Sequence, residues 1–189
     1  FEADNGNQVT KSPYIETWYA SRTKALEKLE RYQECLSSSR EALDNLTTFH
    51  DGNEIWFNNR IGLSLMQLEE YDEAIEVFEK ILKKQTKWFI QQSLAEAYFL
   101  KGEMKRALKH ASGAALNGRE EDKKYKLFLL LADITEKCEN SEIAKQHVEL
   151  AAAAYSKFET PRISTLLASY MDTYEIVDLP AISSRKLYN

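Results

Sequence analysis

The chain has 189 residues, 29% of them charged, a formal net charge of −5, and only six Gly, three Pro and two Cys. That length suits one solenoid of several helix pairs or one compact domain and leaves no separate block for an enzyme fold. The acidic balance, with Lys and Arg interleaved among acids, argues against nonspecific nucleic-acid binding.

Scarce Gly and Pro fit long helices joined by short turns and leave no glycine-rich loop to cradle phosphate. Cys35 and Cys138 lie too far apart to form a disulfide framework or a zinc spacing, so a reduced, cytoplasmic setting is the expectation. No run of about eighteen apolar residues and no basic-then-apolar leader occurs, so no membrane association is expected of this chain. It begins Phe1-Glu2-Ala3-Asp4 without an initiator Met, as a piece of a longer or processed protein would.

In chain order, residues 1–11 are polar and turn-rich and read as a lead or linker. Ser12-Pro13 reads as an N-cap followed by a first helical residue. Apolar periodicity predicts helices near 13–30 and 32–47, then 54–68 and 71–84 after the turn Phe49-His50-Asp51-Gly52-Asn53. Two more follow near 88–101 and 104–116, closed by Asn117-Gly118. After the charged connector Arg119 to Lys124, a fourth pair is predicted at roughly 121–138 and 141–157, its second helix opened by Asn140 or Ser141. Thr160-Pro161 repeats the cap-plus-proline start, and Ile163, Leu166, Leu167, Tyr170, Met171 and Tyr174 make one stripe. A ninth, unpaired helix over 161–175 is therefore predicted to cap the last pair, leaving 176–189 as a tail.

These helices repeat. One copy reads Ile61-Gly62-x2-Leu65, Tyr71, Ala74-x3-Phe78-x2-Ile81; the next reads Leu94-Ala95-x2-Tyr98, Gly102, Ala107-x3-Ala111-x2-Ala114, 33 residues on. Outer copies keep Leu26, Tyr32, Cys35, Ser39 and Ala42 on one side and Leu131-Ala132, Ala144, Val148 and Ala151 on the other, though Arg22-Thr23 replaces the large-small pair in the first and Thr135 replaces the Tyr in the last. The small residues Cys35, Ala74, Ala107 and Ala144 fall where the second helix of each pair crosses the first and allow close approach. The pattern resembles the tetratricopeptide repeat (TPR), whose period is about 34 residues.

The resemblance implies an all-α, right-handed superhelical solenoid of about four helix pairs over 12–175, with repeats near 13–47, 54–84, 88–116 and 121–157. It also implies that the first helix of each pair lines a concave groove. Carried over position by position, the lining is Thr17, Ser21 and Lys24, then Trp56, Asn59, Arg60, Leu63 and Met66 from the second repeat. From the third come Phe89, Gln92, Ser93, Glu96 and Phe99, and from the fourth Lys126, Leu130 and Asp133. Asn, Gln and Arg can bond a peptide backbone or an acidic group, while the apolar members offer anchor pockets. Arg60 has the alternative of neutralising Glu27 or Glu96, and Trp56 that of packing between repeats. The Lys/Asn set with which some TPR domains clamp a pair of carboxylates is absent: Ala20 and Lys24, Arg60, and Phe89 and Ser93 stand in its places.

No HExxH, Cys-His ligand pair or Gly-x-Ser-x-Gly elbow appears, and His50, His110 and His147 read as surface or partly packed residues. The expectation is a noncatalytic scaffold that binds a protein or peptide segment without cofactor or metal. The alternatives are a peptide-sensing regulatory domain similar to bacterial pheromone receptors and a substrate-recruiting segment of a larger enzyme. Self-association through the C-terminal helix is a further expectation.

Overall fold

Wherever a chain of this composition makes a tight helical hairpin, some residue must turn left-handed, and in four of the turns that residue recurs at the same place. In a computed structural model describing residues 13–118, 121–157 and 164–177, Glu30, Glu69, Gly102 and Glu139 have φ of 56°, 64°, 87° and 60°. The next residue's N–H then donates to a carbonyl five positions back: Arg31 to Leu26 (3.0 Å), Glu70 to Leu65 (2.9 Å), Glu103 to Tyr98 (2.8 Å) and Asn140 to Thr135 (3.0 Å). This closure consumes orphan carbonyls at a helix end and reverses the chain. It recurs in the two copies whose apolar signature is weakest as well as in the two clear ones.

The chain divides into two units, Phe1–Ile81 and Leu82–Asn189. The first contains α1 (Tyr14–Lys28), α2 (Tyr32–Asn45), α3 (Asn53–Gln67) and α4 (Tyr71–Lys84), the last of which runs past the unit boundary. Pro13 occupies the N-cap position of α1, one place earlier than its predicted first-turn role; Ser12 lies outside the described residues. Helix α2 packs on both α1 and α3. Tyr19, Ala42 and Phe57 form a core between them, covered by Ala20, Leu43, Leu46 and Phe49. Helix α4 turns Ala74, Ile75, Phe78 and Ile81 inward, on the 3–4 spacing of a single apolar stripe.

The predicted crossing residues are completely buried: Cys35 and Ala74 in the first unit, Ala107 and Ala144 in the second. Thr23 holds the small position of the first pair. It too is fully buried, and its hydroxyl is satisfied by donating to the Tyr19 carbonyl at 2.8 Å, so a polar residue substitutes for a small apolar one without leaving an orphan.

The second unit contains α5 (Trp88–Leu100), α6 (Met104–Leu116), a 3₁₀ turn (Glu121–Lys124), α7 (Tyr125–Lys137), α8 (Ser141–Tyr155) and α9 (Thr165–Thr173). Helices α5 and α6 pair, as do α7 and α8, with α6 against α7 and α9 against α8. The predicted start of the seventh helix at 121 is thus a 3₁₀ turn, and the α-helix begins at Tyr125. Lys124 explains the difference. Its fully buried ammonium donates to the Ala115 (2.9 Å) and Asn117 (2.7 Å) carbonyls, capping the C-terminal end of α6, and lies 5.8 Å from the centre of the Trp88 ring. A cation on those carbonyls is favoured by the helix dipole, and it ties the end of the 3₁₀ turn to the end of α6.

Asn140 caps α8 by accepting from the Ile143 N–H at 3.3 Å, as one of the two expected openings. The Thr160-Pro161 start of the ninth helix lies outside the described residues; within them α9 begins at Thr165 with the Ser164 hydroxyl accepting from the Leu167 N–H. Leu167 is buried, whereas Leu166 is exposed, so the apolar stripe is covered only in part.

At Gly62 the helices α3 and α4 approach closely: an added Cβ would fall 2.5 Å from the Phe78 ring. Gly62→Ala is expected to cost about 1–3 kcal/mol by overpacking, read by denaturant unfolding. A change within a few tenths would show that the α3–α4 contact has slack. Glu69 tests the turn: a non-Gly residue in the left-handed region costs about 1–2 kcal/mol, so Glu69→Gly is expected to raise stability by about 0.5–1 kcal/mol after the added unfolded-chain entropy is deducted. Lower stability for that variant would contradict the turn geometry.

Candidate functional site

In the first unit, α1 and α3 have their apolar stripes turned toward α2 and leave a polar strip along their other sides. Between them lies an open groove of about 740 Å³. Helix α1 contributes Thr17, Ala20, Ser21, Lys24, Glu27 and Lys28; the α2–α3 loop contributes Asp51 and α3 contributes Asn53, Trp56, Asn59 and Arg60. The volume falls within the range of about 300–1,000 Å³ usual for ligand sites.

The loop that closes one end is pinned by Glu16, a residue with no solvent exposure. Its carboxylate accepts from the His50 backbone N–H at 2.7 Å, from Asn53 Nδ2 at 2.8 Å, and pairs with His50 Nδ1 at 2.8 Å. Facing an ionised carboxylate, that ring nitrogen must carry the proton. Burial by itself pushes the Glu16 pKa up, but these His50 and Asn53 hydrogen bonds outweigh it and hold the carboxyl below its ordinary value.

At the centre of the groove Arg60, 8% exposed, donates through Nε to Glu27 at 3.1 Å and through Nη1 to the Thr23 hydroxyl at 3.3 Å. Its charge is therefore spent on joining α3 to α1, the neutralising role that the sequence left as an alternative for Arg60. Asn59 is 7% exposed and its Oδ1 is buried with no hydrogen-bond partner. Trp56 stays 42% exposed beside it.

The other expected lining residues are placed differently. Met66 is 2% exposed and belongs to the packing face of α3, so its side chain is not offered to the groove; Leu63 is half-buried and is not among the residues that line it. Phe89, Gln92, Ser93, Glu96 and Lys126 belong to the second unit. There Phe89 is half-buried and meets Trp88 edge to face at 6.1 Å, and Ser93 is buried with its hydroxyl donating to the Phe89 carbonyl. Gln92 and Phe99 are half-buried. Burial pushes the Glu96 carboxyl up while the positive charge of exposed Lys126 pulls it partly back. Leu130 is buried, and Asp133 is committed to Tyr170, whose hydroxyl donates to both carboxylate oxygens at 2.7 and 2.8 Å.

Among the described residues no group of three or more His, Cys, Asp and Glu is placed to hold a metal ion, and no helix is long and apolar enough to cross a membrane. His147, expected at or near the surface, is buried, and that burial lowers its pKa to about 4, so it is neutral near pH 7. Two features of the groove escaped the sequence. Glu16 and Lys28 both sit on α1 in plain view, but the partners of Glu16 come from more than thirty residues away, and Lys28 lies a turn beyond the last position carried over from the repeat.

No family model matches the chain, and no curated protein matches it significantly. Among solved structures, that of "MamA 41-end from Desulfovibrio magneticus RS-1", a TPR-like helical-repeat protein, is similar with a TM-score of 0.61 at 16% sequence identity, covering 77% of this chain and 78% of that one. The likeness defines a class: a helical-repeat protein. Within that class the fold is TPR-like, all-helical in the described residues.

The latch gives a pH prediction. A depressed carboxyl pKa contributes stability that is complete above the ordinary value of 4.5 and is lost as pH falls from there through the lower folded-state value. Glu16→Leu is expected to melt lower than the parent at pH 7 and to show a shallower loss of stability on acidification below 4.5. Parallel acid limbs for the two proteins would exclude Glu16 as an ionised latch.

Proposed function

We propose that this protein is a noncatalytic interaction module that holds an extended segment of a partner protein in the groove between α1 and α3. The observation that carries the reading is the pairing of Trp56, a large aromatic left 42% exposed, with a buried polar neighbour, Asn59, inside one groove. An exposed aromatic beside a hydrogen-bonding group is the makeup of an interface anchor, since it supplies apolar area and fixes orientation together. The TPR-like fold supports the same reading, because helix pairs stacked in this way offer a surface rather than an enclosed reaction chamber.

Arg60 acts here as a brace. With its guanidinium on Glu27 and Thr23 it holds the two walls of the groove together, and loss of the side chain leaves Glu27 without its ion pair. The residues of the second unit carried over from the repeat, Phe89, Gln92 and Glu96 among them, are proposed to contact the partner through their own exposed parts. Trp56 is the side chain on which the reading is most exposed to test.

The test is selection of random displayed peptides on the immobilised protein, followed by calorimetry of a synthetic peptide against the parent and Trp56→Ala. The variant is expected to stay folded by circular dichroism and to bind more weakly by about 2 kcal/mol. Equal affinity for both proteins, or no peptide selected above a blank surface, would count against the groove as the binding surface.

A further inference from the structure

The left-handed closure that ends four of the first helices occurs a fifth time, at the end of α9. Glu175 has φ of 54°, and the Ile176 N–H donates to the Met171 carbonyl, five positions back, at 2.9 Å. In the other four places a second helix begins directly after that closure, at Tyr32, Tyr71, Met104 and Ser141. Helix α9 also carries the first-helix signature. Leu167-Ala168-x2-Met171 stands at the distance from Glu175 at which Ile61-Gly62-x2-Leu65 stands from Glu69 and Leu131-Ala132-x2-Thr135 from Glu139.

Burial separates two sides of α9. Leu167 is 1% exposed, and the hydroxyls of Tyr170 and Tyr174 donate to the carboxylates of Asp133 and Glu136 on α7, so the side toward the preceding pair is filled. The other side is the one a first helix turns to its own second helix: Gly62 lies against the Phe78 ring of α4, Tyr98 stacks on His110 of α6, and Thr135 meets His147 of α8. Those positions are buried in all four earlier first helices, as Thr23, Gly62, Ala95 and Ala132 and then as Leu26, Leu65, Tyr98 and Thr135. Ala168 and Met171, their equivalents on α9, are only half-buried.

We propose that this side of α9 is a docking surface for the chain's own residues 180–189, which pack on it as a short helix and complete a fifth repeat in place of an unpaired cap followed by a tail. Those residues lie outside the described ones; their register in the sequence carries the assignment. Counted from the closing residue of the turn, the fourth, eighth and eleventh positions are Cys35, Ser39 and Ala42 in the first repeat and Ala144, Val148 and Ala151 in the fourth, all buried. After Ile176 they are Pro180, Ser184 and Leu187, again small or apolar, while Asp178 and Arg185 fall where Gln33 and Arg40 are exposed. Pro180 sets the start. Cys35, Ala74, Ala107 and Ala144 each donate their N–H to the closing residue's carbonyl at 2.9–3.1 Å. Proline has no N–H for that bond and steers the preceding Leu179 away from helix, so Pro180 is the first helical residue rather than the fourth. Arg185 and Lys186 then lie toward the C-terminal end, where cations suit the helix dipole. A helix this short is marginal alone, so it forms only where α9 covers its stripe.

The experiment is amide hydrogen exchange on the full chain. Residues 181–189 are expected to exchange about tenfold or more slower than a free chain, and that protection is expected to survive dilution of the protein. Leu187→Gln, on the stripe, is expected to return the segment to the free-chain rate and to speed exchange in α9, whereas Arg185→Gln, on the outward side, leaves both unchanged. By NMR, the Ala168 methyl is expected to show an NOE to Pro180 or Ser184, the positions at which Cys35 meets Thr23 and Phe78 meets Gly62. Exchange of 181–189 at the free-chain rate in the parent would overturn the helix. Protection lost on dilution would hand the open side of α9 to a second copy and overturn the pairing within one chain. Protection without the NOE, or reduced alike by Leu187→Gln and Arg185→Gln, would overturn the register.

Discussion

The close approach of paired helices is the constraint on which the rest depends. At Gly62 the α3 backbone comes so near the Phe78 ring that even a methyl has no room, and the small residues Cys35, Ala74, Ala107 and Ala144 of the second helices are buried to zero exposure. Close contact of this kind fixes the axial position and rotation of one helix against its partner, because interdigitated side chains tolerate little sliding. The left-handed turn residues complete it. With the reversal set at the same point in each pair, from Leu26 and Arg31 to Thr135 and Asn140, each second helix returns in a comparable register.

That register decides which side chains are left for function. In α1 the inward stripe takes Glu16, Tyr19, Thr23 and Leu26, and in α3 it takes Phe57, Ile61 and Leu65. Thr17, Ser21, Lys24 and Lys28 on one helix, and Asn53, Trp56 and Asn59 on the other, are among the side chains left on the groove side. Two polar braces hold the walls in place. Arg60 ties α3 to α1 in the middle, and Glu16 ties the α2–α3 loop to α1 at one end. Each is nearly or fully buried and hydrogen-bonded, so each specifies one arrangement at the desolvation cost of a charge. Asn59 differs from both because its acceptor has no partner within the protein.

Much of the fold was legible because apolar spacing and small residues report directly on helices and on their crossings. The helix bounds inside the described residues fall within a few positions of those read from periodicity, and Ala74 and Ala107, read as crossing positions, are buried to zero exposure. What periodicity cannot report is a polar side chain whose partner comes from elsewhere. Glu16 reads as an exposed helical acid until His50 and Asn53 are folded against it, and Lys124 reads as part of a charged connector until the end of α6 is placed beside it. Met66 shows the opposite failure. An apolar residue on a first helix suits a ligand anchor or a packing contact equally well by spacing, and only burial separates the two. The left-handed positions at Glu30, Glu69 and Glu139 were hidden for a related reason, since Glu carries none of the turn signal that Gly carries at Gly102.

The central claim is that the groove between α1 and α3 is a working surface whose walls are set by helix pairing. The most direct measurement is amide and side-chain chemical-shift mapping by NMR as a selected peptide is titrated into the isotopically labelled chain. The account requires large shifts at the Trp56 indole N–H, the Asn59 side-chain amide and the backbone of α1 around Ser21 to Lys28, with the Glu16–His50 latch unchanged. Shifts confined to the outward faces of α6 and α8, with Trp56 and Asn59 silent, would contradict it.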